Sequence, residues 1–418
     1  MVRRIPPSDG TPVEYSERTG RLRAEDCTMT ETVATALDFL GIDRELSEEE
    51  RLIRDTTRRF VEQRVLPEIA VWFERGEFPR EVAKELGELG LLGMHLEGYG
   101  CAGTNAVSYG LASLELEAGD SGFRSFVSVQ GSLAMFPIRK YGSDEQKREW
   151  LPRMAAGDAV GCFGLTEPDF GSNPAGMRTS ARRDGSDWVL NGTKMWITNG
   201  GIADVAVVWA RTDQGVRGFL VPRDTPGFAT RNIDRKLSLR ASVTSELVLD
   251  DCRLPGDAAL PGTSGMRGPL SCLNEARFGI VWGAMGAARA CFASALEYAG
   301  TRVQFGRPIA AFQLTQQKLV DMLVELSKGT LLALHLGRAK DAGTLTTQQV
   351  SLGKLSNVRE ALEIARSART ILGANGVTLE YPVIRHANNL ESVLTYEGTS
   401  EIHTLVLGQA ITGIAAFE

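Results

Sequence analysis

The chain has 418 residues, of which 43% are hydrophobic and 23% are charged. This length and balance predict an ordinary globular protein, large enough for two or three packed domains. The formal net charge of -6 and the sequence pI near 5.5 argue against nucleic acid or an acidic membrane as a partner, because binding phosphates requires a basic surface.

The cysteines and histidines do not form a recognisable metal or disulfide pattern. Six cysteines and four histidines are scattered along the chain without a CxxC or a Cys/His cluster. The sequence therefore predicts a reduced protein without a metal site. No run of about 18 apolar residues is present, so we expect no membrane span.

The N-terminal segment does not resemble a transit peptide. Its first 28 residues are rich in arginine but are interleaved with acidic residues, whereas transit peptides contain few of them. We interpret residues 1–44 as a flexible tail, although a better helical pattern begins after Met29. A bacterial cytoplasmic location is therefore expected in preference to the mitochondrial matrix.

The rest of the chain divides into three stretches of different pattern. Residues 45–158 have apolar residues at helical spacing, beginning behind Ser47, a residue type that caps helices. Residues 159–262 show short alternating runs separated by Gly, Asn and Asp, which are strand and turn signals. Residues 263–418 return to long amphipathic helical patterns. We predict an α+β protein with an N-terminal all-α domain, a middle antiparallel β-barrel or sandwich domain and a C-terminal four-helix bundle.

A glycine pattern in the first domain has a second interpretation. Gly98, Gly100 and Gly103 match GxGxxG, the pattern of dinucleotide-binding folds. That pattern binds phosphate only between the strand and the helix of a βαβ unit. Here it follows a helical stretch in an all-α region, so we interpret these residues as glycines of a flexible loop.

Five spaced motifs resemble those of the acyl-CoA dehydrogenase family. They are CFGLTEPDFGS from Cys162, KMWITNG from Lys194, RVQFGRPI from Arg302, ILGANG from Ile371 and TYEGTSEIH from Thr395. The resemblance extends from about residue 45 to Phe417. It implies the three-domain fold predicted above and FAD bound where the domains meet. It also implies a homotetramer built as a dimer of dimers, with an electron-transferring flavoprotein as electron acceptor.

The resemblance implies a flavin site on the middle domain. An isoalloxazine ring needs an aromatic or apolar platform and a few aimed donors. Taken alone, Trp196 would more often be a core aromatic on a strand, but its motif favours a ring contact. Asp169, Phe170 and Asn173 depart from the commoner TEPxxGSD form, which affects details of the phosphate loop. The implied contacts are Phe163, Leu165, Thr166, Gly171, Ser172, Trp196, Ile197 and Thr198.

Further cofactor contacts are implied on the C-terminal bundle, some of them from a neighbouring subunit. An arginine suits a pyrophosphate because its donors form a planar fork, and a glycine lets the backbone approach a cofactor closely. Each residue in isolation has an ordinary alternative, as a solvated helix arginine or as a glycine at a helix end. The implied set is Arg302, Phe305, Gln313, Leu372, Gly373, Gly376, Thr399, Glu401 and Phe417.

Glu397 is the catalytic base that the resemblance implies. The following Gly398 permits a sharp turn and Thr399 can cap the next helix, so the carboxylate can project into a closed cavity. Burial by a bound acyl thioester raises the pKa of a carboxyl toward the range useful for proton abstraction. The implied reaction removes the α-proton and passes a β-hydride to the flavin, while oxyanion-hole donors polarise the thioester carbonyl.

The segment LELEAGDSGFRSFVSVQ resembles the glutaryl-CoA dehydrogenase branch, in which an arginine and a serine bind the distal carboxylate. Arg124 and Ser128 occupy those positions, and arginine suits the task because it binds carboxylates bidentately and stays charged. The alternative for Arg124 is a surface salt bridge with Glu117, two helical turns away. Asn274 and Arg277 resemble residues near the thioester, and their alternative role is as capping groups at a helix N-terminus. The implied substrate contacts are Glu117, Arg124, Ser125, Ser128, Ser172, Asn274, Arg277, Tyr396 and Gly398.

The resemblance therefore implies oxidation of glutaryl-CoA to glutaconyl-CoA and its decarboxylation to crotonyl-CoA, since Tyr396 and Glu117 follow the decarboxylating pattern. Three alternatives stay open. They are a dehydrogenase for another short or dicarboxylic acyl-CoA or acyl-carrier thioester, a glutaryl-CoA dehydrogenase that does not decarboxylate, and a non-catalytic flavin-binding relative. Glu397 and the acidic charge balance argue against the last.

Overall fold

The computed structural model describes residues 29–416, and its first domain is helical apart from one small hairpin. Ser47 caps a helix as predicted: its hydroxyl accepts from the Glu50 backbone N–H at 3.2 Å, and the Glu50 carboxylate accepts from the Ser47 N–H at 2.8 Å. The helices are α1 (Met29–Leu37), α2 (Glu48–Phe60), α3 (Ile69–Arg75), α4 (Val82–Glu88), α5 (Ala106–Gly119), α6 (Ser121–Ser128), α7 (Phe136–Tyr141) and α8 (Asp144–Ala155), with π-helical segments at Val61–Val65 and Val129–Met135.

Part of the predicted tail is ordered. Helix α1 and a 3₁₀ turn at Ile42–Glu45 lie within residues 1–44 or at their end. The side chains of Ala36, Leu37 and Ile42 pack against the hydrophobic core of the helical domains. A short helix gains stability mainly from such packing, which its own sequence does not show. Residues 1–28 of the predicted tail lie outside the described residues.

The GxGxxG glycines lie in and beside a small β-hairpin, with Gly100 in its turn. Strand β1 (Glu97–Gly98) pairs with β2 (Cys101–Ala102) between α4 and α5. Gly98, Gly100 and Gly103 have φ of 79°, 83° and 68°, a region that glycine enters without steric cost. The pattern therefore serves a tight turn and does not join a strand to a helix.

One seven-stranded sheet forms the middle domain, and the predicted fold class is confirmed. Its strands are β3 (Gly161–Gly164), β4 (Ser180–Asp184), β5 (Asp187–Thr198), β6 (Val205–Thr212), β7 (Gly215–Pro222), β8 (Phe228–Asn232) and β9 (Thr244–Leu254). Their order is β3-β6-β4-β5-β9-β8, with β7 also on β6. Strands β3 and β4 run parallel to β6, so the sheet is not purely antiparallel as predicted. Alternation within a strand does not encode the direction of its neighbours.

The C-terminal domain is a helical bundle, and a sharp turn precedes its last helix. The chain turns at Glu397 and Gly398, where φ is 55° and 96°. The elements are α9 (Arg267–Thr301), β10 (Val303–Gln304), β11 (Arg307–Pro308), α10 (Gln313–Asp341), α11 (Thr347–Ile371), α12 (Val383–Thr395) and α13 (Ser400–Thr412).

Helix α9 is the central helix of the molecule. By length and composition alone it could cross a membrane, but 72% of its most apolar window is buried inside the protein. It lies between α5 and α11, and the helices share one core. A Cβ at Gly286 would lie 1.9 Å from the Leu114 carbonyl oxygen, so a glycine is required where α9 crosses α5. The α5–α9 contact brings the N-terminal domain and the bundle together.

Candidate active site

Glu397 lies in the turn between α12 and α13. Its Oε2 is buried and has no hydrogen-bond partner among residues 29–416. Its φ of 55° is uncommon for a residue with a side chain and persists only where the surroundings fix it. A Cβ at Gly398 would lie 2.8 Å from Nε2 of His403, so the turn also requires the glycine that follows. Thr399 caps α13, since its hydroxyl accepts from the Ile402 N–H at 3.3 Å.

The Glu397 carboxyl titrates in a range suited to proton transfer. Burial raises its pKa to about 6, although Arg124, Arg277 and Lys354 act in the opposite direction. At pH values above this pKa the group is an anion without a hydrogen-bond partner in the described chain. Such a carboxylate is a competent proton acceptor.

Two cations hold the backbone of this turn. Arg277 of α9 donates from Nε to the Glu397 carbonyl oxygen at 2.7 Å. Lys354 of α11 donates from Nζ to three backbone carbonyls within residues 394–398, at 2.7–3.2 Å. Arg277 was among the predicted residues, but Lys354 was not. A lone lysine on an amphipathic helix carries no local signal that it is buried.

A second group of buried polar side chains surrounds Arg124. Its Nε donates to Oε2 of Glu117 at 2.6 Å, and the two side chains are 1% and 0% exposed. Arg124 also donates to the Tyr396 hydroxyl. The Ser125 Oγ lies 3.3 Å from the same hydroxyl. The predicted alternative of a surface salt bridge is therefore wrong in its location: the ion pair forms, but inside the protein.

Three polar atoms of this group have no partner among residues 29–416. They are Nη1 of Arg124, Oε1 of Glu117 and Oγ of Ser128, all of them buried. Buried polar groups are nearly always hydrogen-bonded, so these atoms indicate a missing polar ligand. Burial opposes the charge of Arg124, but Glu117 and Tyr396 raise its pKa, so it stays a cation. The free N–H edge of a buried guanidinium suits a carboxylate.

The two groups belong to one site. Tyr396 directly precedes Glu397, and the charge of Arg124 lowers the pKa of Glu397. Burial raises the pKa of Tyr396 to about 12, so its hydroxyl stays neutral while it accepts from Arg124. The arrangement places a possible proton acceptor and a buried cation close to the same turn.

Trp196 is not a core aromatic. Its side chain is 59% exposed, in a stretch of β5 whose register with β9 shifts between Lys194 and Ile197. Its φ is 63°, which marks a local break in the strand. Ile197 beside it is buried, and Thr198 is half-buried. The break exposes the indole at the surface of the sheet, where it can serve as a platform for a flat ligand.

A buried ion pair fixes the loop after β3. Lys194 Nζ lies 2.8 Å from Oε1 of Glu167 and donates to the Leu165 carbonyl at 3.1 Å. Met195 donates its N–H to the Thr166 carbonyl at 2.8 Å. Burial opposes the charge of Glu167, but its hydrogen bonds and Lys194 lower its pKa to about 2. Neither Glu167 nor Lys194 was among the predicted site residues, although both lie within the quoted motifs.

The other predicted middle-domain residues divide between core and surface. Phe163 and Leu165 are buried at 7% and 4% exposure, and Thr166 is half-buried. Gly171 and Ser172 are exposed, and a Cβ at Gly171 would meet nothing within 4 Å. The backbone here is open to approach by a ligand. Among residues 29–416, no group of three His, Cys, Asp or Glu side chains is placed to hold a metal.

The predicted bundle residues lie at helix ends and at the surface. Asn274 of α9 donates to the Thr347 hydroxyl at 2.8 Å, and its Oδ1 is buried without a partner. Leu372 and Gly376 are buried beyond the end of α11, whereas Gly373 is exposed with nothing within 4 Å of an added Cβ. The exposed members are Arg302, Phe305, Gln313 and Glu401. Phe417 lies outside the described residues.

Comparison with protein families identifies three consecutive domains. The Acyl-CoA dehydrogenase N-terminal domain matches residues 47–158, the middle domain matches 162–252 and the C-terminal domain matches 263–412. Among relatives, the short-chain specific acyl-CoA dehydrogenase, mitochondrial, of Bos taurus is 38% identical over 371 residues, covering 87% of this chain and 90% of the relative.

Two solved structures are similar over most of the chain. A glutaryl-CoA dehydrogenase from Mycobacterium smegmatis in complex with FADH2 is 67% identical, with a TM-score of 0.91, and the match covers 92% of this chain and 100% of that one. The structure of a glutaryl-coenzyme A dehydrogenase glutaryl-CoA complex is 32% identical, with a TM-score of 0.84, covering 88% and 96% of the two chains.

Gly283 of α9 lies against the buried Glu117–Arg124 pair. A Cβ there would lie 2.1 Å from Oε2 of Glu117 and 3.2 Å from Cγ of Arg124. We predict that Gly283→Ala destabilises the protein by about 2 kcal/mol, the usual cost of over-packing a core, despite the better helix propensity of alanine. The measurement is the midpoint of thermal unfolding.

The matched control for this change is Gly408→Ala in α13. A Cβ at Gly408 would meet nothing within 4 Å, so only the propensity gain should remain. Equal unfolding midpoints for the two variants would contradict the prediction, because they would show that Glu117 and Arg124 move to accommodate the added methyl group without a loss of stability.

Proposed function

The chain belongs to the acyl-CoA dehydrogenase family, and we propose that it catalyses the FAD-dependent oxidation of glutaryl-CoA to glutaconyl-CoA, followed by decarboxylation to crotonyl-CoA and CO2. One observation carries the choice of substrate: Nη1 of the buried Arg124 lacks a partner in the described chain, and the guanidinium lies close enough to the Glu397 carboxyl to lower its pKa. Similarity to glutaryl-CoA dehydrogenases of known structure supports the same choice.

We assign proton abstraction to Glu397. Its buried carboxyl has no competing hydrogen bond at Oε2 in the described chain, and its pKa of about 6 leaves it ionised at neutral pH. The α-proton of an acyl thioester becomes acidic once the carbonyl is polarised by donors in a dry site. We assign the Glu397 backbone N–H as one of those donors. The turn therefore provides both the base and part of the oxyanion hole.

We assign the distal carboxylate of the substrate to Arg124 and Ser128. Glu117 holds the Nε edge of the guanidinium, which leaves Nη1 for the ligand. Glu117 also offsets part of the arginine charge, so it tunes how tightly the carboxylate is held. A monocarboxylic acyl chain would leave Nη1 unsatisfied, and an unpaired buried donor disfavours such a substrate.

Decarboxylation follows from the chemistry of the product of oxidation. In glutaconyl-CoA the γ-carboxylate can be lost as CO2, because the electron pair that remains is delocalised through the double bond into the thioester. The resulting dienolate takes up a proton at its γ-carbon to give crotonyl-CoA, and Glu397 can return the proton that it removed from the α-carbon. Arg124, Ser125 and Tyr396 surround the position that we assign to this carboxylate. Their burial excludes the water that would otherwise solvate and retain the anion.

The middle domain fits the FAD cofactor. Trp196 offers an exposed aromatic platform, and the backbone at Gly171 has open space around it. The Lys194–Glu167 pair fixes the loop that carries Thr166, so its donors are preorganised. We propose that the predicted cofactor residues of this domain hold FAD beside the Glu397 site. When bound, FAD supplies the acceptor for the hydride that leaves the β-carbon.

We further propose that the protein is a homotetramer in the bacterial cytoplasm, with an electron-transferring flavoprotein as electron acceptor. Several large apolar side chains of the bundle are exposed in the isolated chain: Phe305, Leu314, Val320, Val324, Leu331, Ile411 and Ile414. Exposed apolar surface of this kind is characteristic of subunit interfaces. A neighbouring subunit at this surface would bring the exposed Arg302 and Gln313 to an FAD site, as the sequence predicts.

The assembly is tested by light scattering on the purified protein. Because the chain has a mass of 45.3 kDa, we expect a particle of about four times that mass. A monomer that binds FAD would contradict the tetramer and its shared cofactor site.

The reaction is tested by incubating the purified protein with glutaryl-CoA and an artificial electron acceptor, and identifying the products by mass. We expect crotonyl-CoA and CO2. Glutaconyl-CoA as the final product would overturn the decarboxylation, and oxidation of butyryl-CoA without conversion of glutaryl-CoA would overturn the substrate. The control is Glu397→Gln, which should keep the flavin and lose turnover by about 10³-fold, because a positioned base contributes that much.

The role of Arg124 is tested by substrate selectivity. Arg124→Met keeps the side-chain volume but removes the charge, so we expect kcat/KM for glutaryl-CoA to fall by about 10²-fold, with a much smaller change for butyryl-CoA. The single variant leaves the Glu117 charge buried and unpaired. The double variant Glu117→Gln/Arg124→Met separates this loss of stability from the loss of binding. Equal losses for the two substrates in both proteins would show that Arg124 does not bind the distal carboxylate.

A further inference from the structure

Lys354 is buried in α11 with only 1% exposure. Its Nζ donates to the backbone carbonyls of Leu394, Tyr396 and Gly398 at 3.2, 3.0 and 2.7 Å. An ammonium carries three donors and no acceptor, so main-chain oxygens alone satisfy this lysine completely. Its contacts therefore all fall on the segment that carries Glu397.

These carbonyls belong to the end of α12 and to the turn that follows it. The last carbonyls of a helix lack partners within the helix, and a cation is favoured there by the helix dipole. Glu397 and Gly398 are consecutive left-handed residues, a conformation that needs support from its surroundings. Lys354 and Arg277 together bind the carbonyls of residues 396, 397 and 398, so the backbone of the turn is fixed at each position.

The titratable groups around the Glu397 turn come from four helices. Arg124 of α6, Arg277 of α9 and Lys354 of α11 each lower its pKa, against the effect of burial. His403 of α13 is neutral, because burial lowers its pKa to about 3. Burial also lowers the pKa of Lys354 to about 7, with Glu397 acting to raise it. The charges on Lys354 and Glu397 are therefore coupled.

We propose that Lys354 is a positioning residue for proton abstraction: its ammonium holds the backbone of residues 394–398 in the left-handed turn that directs the Glu397 carboxyl to the substrate. Lys354 does not itself touch the substrate. The inference rests on the proposed role of Glu397 as the base. Without the ammonium, three backbone carbonyls lose this donor, and the turn can relax towards a more common backbone conformation.

The test compares Lys354→Met, which removes the charge, with Lys354→Arg, which keeps it. The matched control is Lys236→Met, because Lys236 likewise donates to two loop carbonyls, those of Leu239 and Ser242, but does not contact the Glu397 turn. All proteins are studied as FAD-loaded enzymes. Proton abstraction is followed by exchange of the α-protons of a 3-thia-acyl-CoA into D2O. This probe has sulfur in place of the β-carbon and cannot donate a hydride.

We expect Lys354→Met to retain its flavin and to exchange α-protons about 10²-fold more slowly, the loss typical of a misplaced reacting group, with little change in KM. The acid limb of the plot of exchange rate against pH should also move to higher pH in this variant. The Lys354 ammonium stabilises the Glu397 carboxylate, so removing the ammonium raises the pKa of Glu397. Lys354→Arg should exchange α-protons about tenfold more slowly than the wild type, because a planar guanidinium does not reproduce three diverging donors. The acid limb of its pH–rate plot should not shift, because the positive charge is kept.

The inference is overturned if Lys354→Met loses thermal stability as Lys236→Met does but exchanges protons at the wild-type rate with an unshifted acid limb. If Lys354→Met does not fold, wild-type exchange by Lys354→Arg overturns it instead. Failure of the proposed function gives a different result. If the wild-type protein exchanges the α-protons of the probe but does not convert glutaryl-CoA, only the proposed substrate is wrong. If Glu397→Gln exchanges them at the wild-type rate, the proposed role of Glu397 as the base is wrong.

Discussion

The backbone turn at Glu397 places an acidic side chain where its buried Oε2 has no hydrogen-bond partner among the described residues. The neighbouring cations stabilise both this turn and the buried carboxylate. A residue with positive φ and a buried carboxyl is unfavourable on both counts. Arg277 and Lys354 offset the cost of the positive φ by donating hydrogen bonds to the backbone carbonyls of the turn. Together with Arg124, these two cations also offset part of the cost of burying the carboxylate, so the pKa of Glu397 rises only to about 6. The result is a carboxylate that is ionised at neutral pH but still able to hold a proton.

In the proposed function, Arg124 provides the choice of substrate. A buried guanidinium is costly unless its N–H groups are paired, and here Glu117 and Tyr396 pair part of them. Because Tyr396 precedes Glu397 in the chain, the turn carries both the proposed base and one of the groups that hold the Arg124 guanidinium. The distance between the proposed carboxylate site and the proposed base therefore depends on how α6 packs against this turn.

The three domains contribute different parts of this arrangement. The N-terminal helix α6 carries Arg124, the bundle helices α9 and α11 carry Arg277 and Lys354, and the sheet presents Trp196 where the pairing of β5 is interrupted. The contact between α5 and α9, where Gly283 and Gly286 allow close approach, joins the first and third domains in one core. A shift at that contact would therefore move the carboxylate pocket relative to the base.

The sequence by itself determined the fold class, the order of the three domains and most of the residues around Glu397, because these depend on local periodicity and on contiguous motifs. Tertiary structure decided the rest. Helix α1 is ordered by packing against a core that its own residues do not reveal. Strand β6 is parallel to two neighbours, although alternation predicts no direction. Whether Glu117 and Arg124 pair at the surface or in the interior, and whether Lys354 is solvated or holds the Glu397 turn, depends on which distant helix covers each side chain. A pairwise contact between residues far apart in the chain leaves no periodic trace in either segment.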